Sequence, residues 1–76
     1  MSRLAWQCRR GMRELDELLQ RYLAQRYPQA SATEQRAFER LLQSQDPLLQ
    51  SYLLSEVRPH DPELQSVVDA IREHRA

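Results

Sequence analysis

The apolar residues Met12, Leu15, Leu18, Leu19, Tyr22 and Leu23 recur at three- and four-residue intervals, and the run ends by Tyr27, ahead of Pro28. That spacing lays the apolar side chains along one stripe of an α-helix. Proline lacks the amide and the backbone freedom needed to continue it. The same period persists to the C-terminus. No stretch alternates with period two, and no Asn-Gly or Asp-Gly hairpin signal occurs. A chain patterned this way buries its apolar surface by packing helix against helix.

Local start signals divide the pattern. A short first helix is expected from Arg3 to Arg9, and a longer second one from Gly11 or Met12. Ser31 followed by Glu34 forms a capping box with Ser31 as N-cap. The helix behind it should bury Ala37, Phe38, Leu41 and Leu42. Asp46-Pro47 and Asp61-Pro62 each read as a helix start, the aspartate accepting from orphan amides and the proline filling the first turn. Leu49, Tyr52, Leu53 and Val57 would form the inner face of the fourth helix, with Leu48 and Leu54 flanking. Leu64, Val67, Val68 and Ile71 supply the last stripe. The expectation is an all-α fold, a compact bundle of five short helices, with residues 1–76 as a single domain.

At 76 residues, with 41% hydrophobic and 29% charged side chains, the composition suits a folded soluble domain with one small core. No apolar run approaches the ~18–20 residues of a membrane span. The opening "MSRLAWQCRRG" lacks the apolar centre of a signal peptide, and the sole cysteine, Cys8, has no partner for an internal disulfide. A cytoplasmic protein without membrane insertion is expected. The formal net charge is zero but unevenly spread. Residues 1–26 hold six arginines against three acids, +3, and residues 27–76 five against eight, −3. Every basic residue is arginine, which a GC-rich genome explains as readily as function does.

Several chemistries are disfavoured. His60 and His74 lie far apart and Cys8 has no CxxC companion, so no metal site is expected. Cys8 beside Arg9 and Arg10 has the surroundings of an activated thiol. It also falls in line with Leu4, Met12 and Leu15, which favours a small buried hydrophobe. One glycine cannot build a phosphate-binding loop. An enzyme is not expected, and no catalytic residue is assigned. Arg9, Arg10 and Arg13 could contact phosphates, but Glu14, Asp16 and Glu17 follow at once, so a nucleic-acid-binding role is the weaker alternative.

Gly11 is then an anomaly, because glycine within a helical run costs roughly 1 kcal/mol relative to alanine. An Arg10–Glu14 pair four residues apart would return only ~0.2–0.5 kcal/mol. Two compatible explanations remain open: Gly11 breaks the chain between the first two helices, and it removes a side chain so that another backbone can approach. Projected as a helix, Leu4, Cys8, Gly11/Met12, Leu15 and Leu19 fall on one side. Trp6, Arg10, Arg13/Glu14 and Glu17 fall on the other. Tryptophan beside arginines and a carboxylate is the composition of a protein-binding hot spot. Whether Trp6 faces a partner or the core stays open, since a break at Gly11 redirects it.

The block W-x-C-R-R-G-M-R-E-L-D (Trp6 to Asp16), followed by F-x-R-L-L (Phe38 to Leu42) and D-P-x-L (Asp46 to Leu49), resembles the SdhE/YgfY family. These are small flavinylation factors related to the mitochondrial succinate dehydrogenase assembly factor. The family's RGxxE signature falls on Arg10, Gly11 and Glu14. Leu48 stands where the family usually carries another acid, Tyr52 where a Trp is common, and the longer tail of some relatives is lacking.

The resemblance implies a five-helix assembly factor that binds the flavoprotein subunit of succinate dehydrogenase, or of fumarate reductase, and promotes covalent attachment of FAD to a histidine of that client. It would hold no cofactor of its own and be a monomer when free. An antitoxin-like interaction module is the alternative. Partner contacts are expected from Trp6, Arg9, Arg10, Gly11, Arg13, Glu14 and Asp16. In that scheme the partner's backbone packs against Gly11, Arg10 forks onto a client carboxylate or carbonyl, and Glu14 accepts from client donors, which is positional catalysis in trans.

Overall fold

In a computed structural model, residues 3–73 are described, and their order is α1 (Arg3–Gln7), α2 (Arg13–Gln25), a 3-10 turn (Tyr27–Gln29), α3 (Ala32–Leu41), α4 (Asp46–Leu54) and α5 (Pro62–Glu73). The five expected helices are all present, and no strand occurs among the described residues. The last turn of α2 closes through the Arg26 amide, which donates to the Tyr22 carbonyl at 2.9 Å. Pro28 then lies in the 3-10 turn, where its missing amide is tolerated.

Two of the three cap signals act as read. Ser31 Oγ accepts from the Glu34 amide at 3.1 Å, and Asp61 Oδ1 accepts from the Glu63 amide at 2.8 Å. Asp46 does not cap. Gln45 holds the N-cap position of α4 with no side-chain cap, and Asp46 is the first helical residue. Its carboxylate faces Arg10 instead, at 3.3 Å. A charge-assisted contact across the fold displaces the local one.

The core draws on every long helix. Leu15, Leu19 and Tyr22 of α2, Phe38 and Leu41 of α3, Leu49 and Leu53 of α4, and Val67 and Ile71 of α5 have no exposed surface. Helices α3 and α5 share the most extensive packing, while α2 and α4 close over them. The Tyr22 and Phe38 rings meet at 4.6 Å with a 39° tilt, a favourable aromatic geometry. The buried Tyr22 hydroxyl donates to Glu34 Oε2 at 2.6 Å, and Arg26 Nε donates to the same oxygen at 3.0 Å. Burial first, then the hydrogen bond to Glu34, raises the Tyr22 pKa well above its ordinary value.

Val57 departs from its expected place on the inner face of α4 and is 51% exposed. The four-residue spacing carries past the end of the helix, which stops at Leu54 with Ser55 extended. Arg72 of α5 takes the freed carbonyls of Tyr52 and Ser55 at 3.2 and 3.0 Å. A guanidinium from a distant helix thus satisfies carbonyls that the end of α4 leaves orphaned.

Helix α1 buries none of its own residues. It is held by Cys8, just beyond its end, which is fully buried, and by Leu4, which packs on the edge of the core. Two substitutions test this frame in urea denaturation. Ser31→Ala is expected to cost about 1 kcal/mol through the lost cap. Phe38→Ala should cost about 3–5 kcal/mol through the cavity it leaves.

Candidate docking turn

Between α1 and α2 the chain reverses at Gly11, whose φ is +81°, the one positive φ among the described residues. L-residues avoid this region because Cβ crowds the following carbonyl, so glycine is the natural occupant. A Cβ placed here would meet nothing within 4 Å. Gly11 breaks the chain between α1 and α2, and the space beside it is open. Among the described residues, no backbone crowds the open side.

Asp16 locks the reversal. Its Oδ1 accepts from the Arg10 amide at 2.7 Å and its Oδ2 from the Gly11 amide at 3.3 Å. A carboxylate in the first turn of α2 also suits the positive end of the helix dipole. The acid that seemed to spoil a basic patch thus holds the turn together from within.

The break redirects Arg10. Projection as one continuous helix places it outward beside Trp6, yet its side chain is only 16% exposed. The guanidinium donates to the Leu42 carbonyl, to the Ser44 carbonyl at 3.4 Å and to Asp46 Oδ1 at 3.3 Å. It sits where α3 ends and α4 begins, facing the negative end of one helix dipole and an acid in the first turn of the next. Its Nε is buried without a hydrogen-bond partner among the described residues. The Arg10–Glu14 pair weighed from the sequence is therefore not formed. Arg13 and Glu17 pair instead at 3.3 Å, both well exposed, an arrangement worth only a few tenths of a kcal/mol.

The remaining candidates lie on the surface. Trp6 is 62% exposed, so its indole faces outward rather than into the core. Arg9, Gly11, Arg13 and Glu14 are exposed as well. The Glu14 carboxylate has no partner among the described residues. Arg9 also borders a shallow cavity of about 250 Å³ between α1 and α2, lined with Ala5, Gln20, Leu23 and Ala24. Trp6, Arg9, Gly11, Arg13 and Glu14 thus face outward, while Arg10 and Asp16 brace the turn from behind. Asp46 was not legible as part of this arrangement, because it arrives from 36 residues away and its Asp-Pro context suggests a cap.

Cys8 is a core residue. Its thiol has no exposed surface, and burial, opposed by Arg10 and reinforced by Asp16, pushes its pKa from an ordinary 9.0 up to about 11. It remains protonated at neutral pH, which removes it as a nucleophile. Among the described residues, no three His, Cys, Asp or Glu side chains converge as metal ligands. His74 lies outside the described residues. Of the arginine cluster, Arg10 turns inward, while Arg9 and Arg13 are exposed.

Two measurements follow from this geometry. Gly11→Ala should lower stability by about 1–2 kcal/mol in urea denaturation through backbone strain alone, because the methyl has open space around it. Cys8 has a folded-state pKa above its unfolded one, so its contribution is complete below pH 9.0 and is lost as pH rises toward about 11. Cys8→Ala should flatten that alkaline decline, which for the wild-type thiol amounts to roughly 2–3 kcal/mol.

A family model described as "Flavinator of succinate dehydrogenase" matches residues 2–75. The protein named FAD assembly factor SdhE of Methylococcus capsulatus is 46% identical over 71 residues, covering 93% of this chain and 86% of its own. Its namesake in Pectobacterium atrosepticum is 42% identical over 71 residues, covering 93% and 81%. The one in Coxiella burnetii is 37% identical over 72 residues, covering 95% and 88%. No solved structure matches. The blocks around Gly11, Phe38 and Asp46 thus sit within a likeness that spans nearly the whole chain, and the protein belongs to the family of succinate dehydrogenase flavinators.

Proposed function

We propose that this chain is a FAD assembly factor that binds the flavoprotein subunit of succinate dehydrogenase, or of fumarate reductase, and promotes covalent attachment of FAD to a client histidine. The family match over residues 2–75 carries this reading. The docking turn supplies its physical form. Trp6 offers a large exposed apolar surface with a polar N–H, the features that make tryptophan an interface anchor. Gly11 leaves room for a partner's backbone, and the Glu14 carboxylate is free to accept from client donors. Arg9 and Arg13 flank them.

The chain's own chemistry is limited to positioning. The Cys8 thiol is buried and protonated, and the reacting histidine and the flavin both belong to the client. Holding the client in a geometry that favours attack on the flavin lowers the entropic part of the barrier without any catalytic group from this chain. When free, the factor is a monomer in the cytoplasm, and it neither binds flavin itself nor contacts nucleic acid.

In-gel flavin fluorescence of the client subunit, with and without this chain, tests the reading. Wild-type protein should raise covalent flavin. Glu14→Ala, an exposed change that leaves the fold intact, should reduce the rate about ten- to hundredfold, as expected for a lost hydrogen bond to a charged group. No rise with the wild-type chain would overturn the assembly role. Wild-type behaviour of Glu14→Ala would remove that carboxylate from the docking surface.

A further inference from the structure

We infer that Asp46 is a positioning residue for the docking turn, acting through Arg10, and that Arg10 itself serves the turn from inside rather than touching the partner. This inference rests on the assembly role proposed above.

Three observations converge on it. The first is that both terminal nitrogens of Arg10 are already engaged. Its guanidinium donates to two carbonyls at the end of α3 and to the Asp46 carboxylate at the start of α4, and its side chain is 16% exposed. Swinging outward would leave the Leu42 and Ser44 carbonyls and the Asp46 carboxylate without that donor. The second is that Asp46 gives up its local task. Gln45 occupies the N-cap position of α4 without a side-chain cap, although an aspartate stands next to it. Asp61, in the same Asp-Pro context, does accept from a nearby amide at 2.8 Å. The third is that residue 10 is pinned twice, its amide by Asp16 of α2 and its side chain by the α3–α4 joint.

Gly11, which follows directly, therefore inherits its place from two directions. Glu14 starts from the same anchored turn. The surface a partner meets is short in sequence, yet its orientation relative to the bundle is set by a carboxylate on another helix. Fixing recognition groups through a supporting layer of contacts is what makes such a constellation precise.

The experiment measures client flavinylation against factor concentration for wild type, Asp46→Ala, Asp46→Glu, Arg10→Ala and the Arg10→Ala/Asp46→Ala double variant. Asp46 is 41% exposed, so its removal leaves the core intact. Asp46→Ala should raise the half-saturating concentration by about five- to tenfold with the plateau rate unchanged, and Asp46→Glu should recover most of that loss. The double variant should be no worse than Arg10→Ala alone, since both changes break one contact. The Gly11 amide resonance in a proton–nitrogen spectrum should shift on Asp46→Ala, although the two residues are remote in sequence.

Additive losses, or an Asp46→Ala curve within twofold of wild type beside a large loss in Arg10→Ala, would show that Arg10 acts on the partner directly. An unmoved Gly11 amide would overturn the positioning role on its own. That spectrum needs no client, so it reads the inference even if the wild-type chain fails to promote flavinylation, a failure that would count against the assembly role instead.

Discussion

The reversal of the chain at Gly11 is the constraint on which the arrangement of the first third depends. A single residue at φ +81°, held by one carboxylate across two successive amides, converts what reads as one long amphipathic helix into two helices with different directions. Everything unusual nearby follows from that turn. Arg10 points inward because the helix that would carry it outward has ended. Trp6 sits on a separate short segment, and Cys8 becomes the anchor by which that segment meets the core. Without the break, the apolar stripe would continue and Arg10 would remain on the solvent side.

The chain has no lysine, and the structure uses several of its eleven arginines as ties between elements. Arg10 joins the α1–α2 turn to the α3–α4 joint, and Arg26 reaches Glu34 of α3 from the end of α2. Arg40 reaches Asp61 and Glu63 at the start of α5, and Arg72 closes the end of α4. Each spans a boundary where helix ends leave carbonyls or carboxylates in need of donors. Arginine's planar fork serves two acceptors at once, which suits such boundaries better than lysine's single ammonium. Exposed pairs of this kind add little stability individually. Their contribution is to fix how short helices meet.

What the sequence disclosed and what it hid divide along a physical line. The helical period, the Ser31 cap, the Asp61 start and most buried positions are decided by neighbours within four residues, and those were legible. The fates of Asp46 and Val57 were decided by groups much farther along the chain. Asp46 looks like a cap because local amides are its obvious partners, and only the fold brings Arg10 within 3.3 Å. Val57 fits the stripe of α4 until Arg72 captures the carbonyls at that helix's end. At the Gly11 turn, the residue types were legible, but which of them faced out depended on a backbone angle.

Helix α1 spans only five residues and contributes no buried side chain of its own, while carrying the exposed indole of Trp6. An isolated helix of this length has almost no intrinsic stability, since nucleation outweighs the few hydrogen bonds it can form. Its order is borrowed from Cys8 and the locked turn behind it. Segments of this kind open at free energies far below that of global unfolding. The tryptophan is therefore presented on the shortest α-helix among the described residues, next to a turn pinned by Asp16. The indole's place is thus set by the turn that follows it, more than by the helix that carries it.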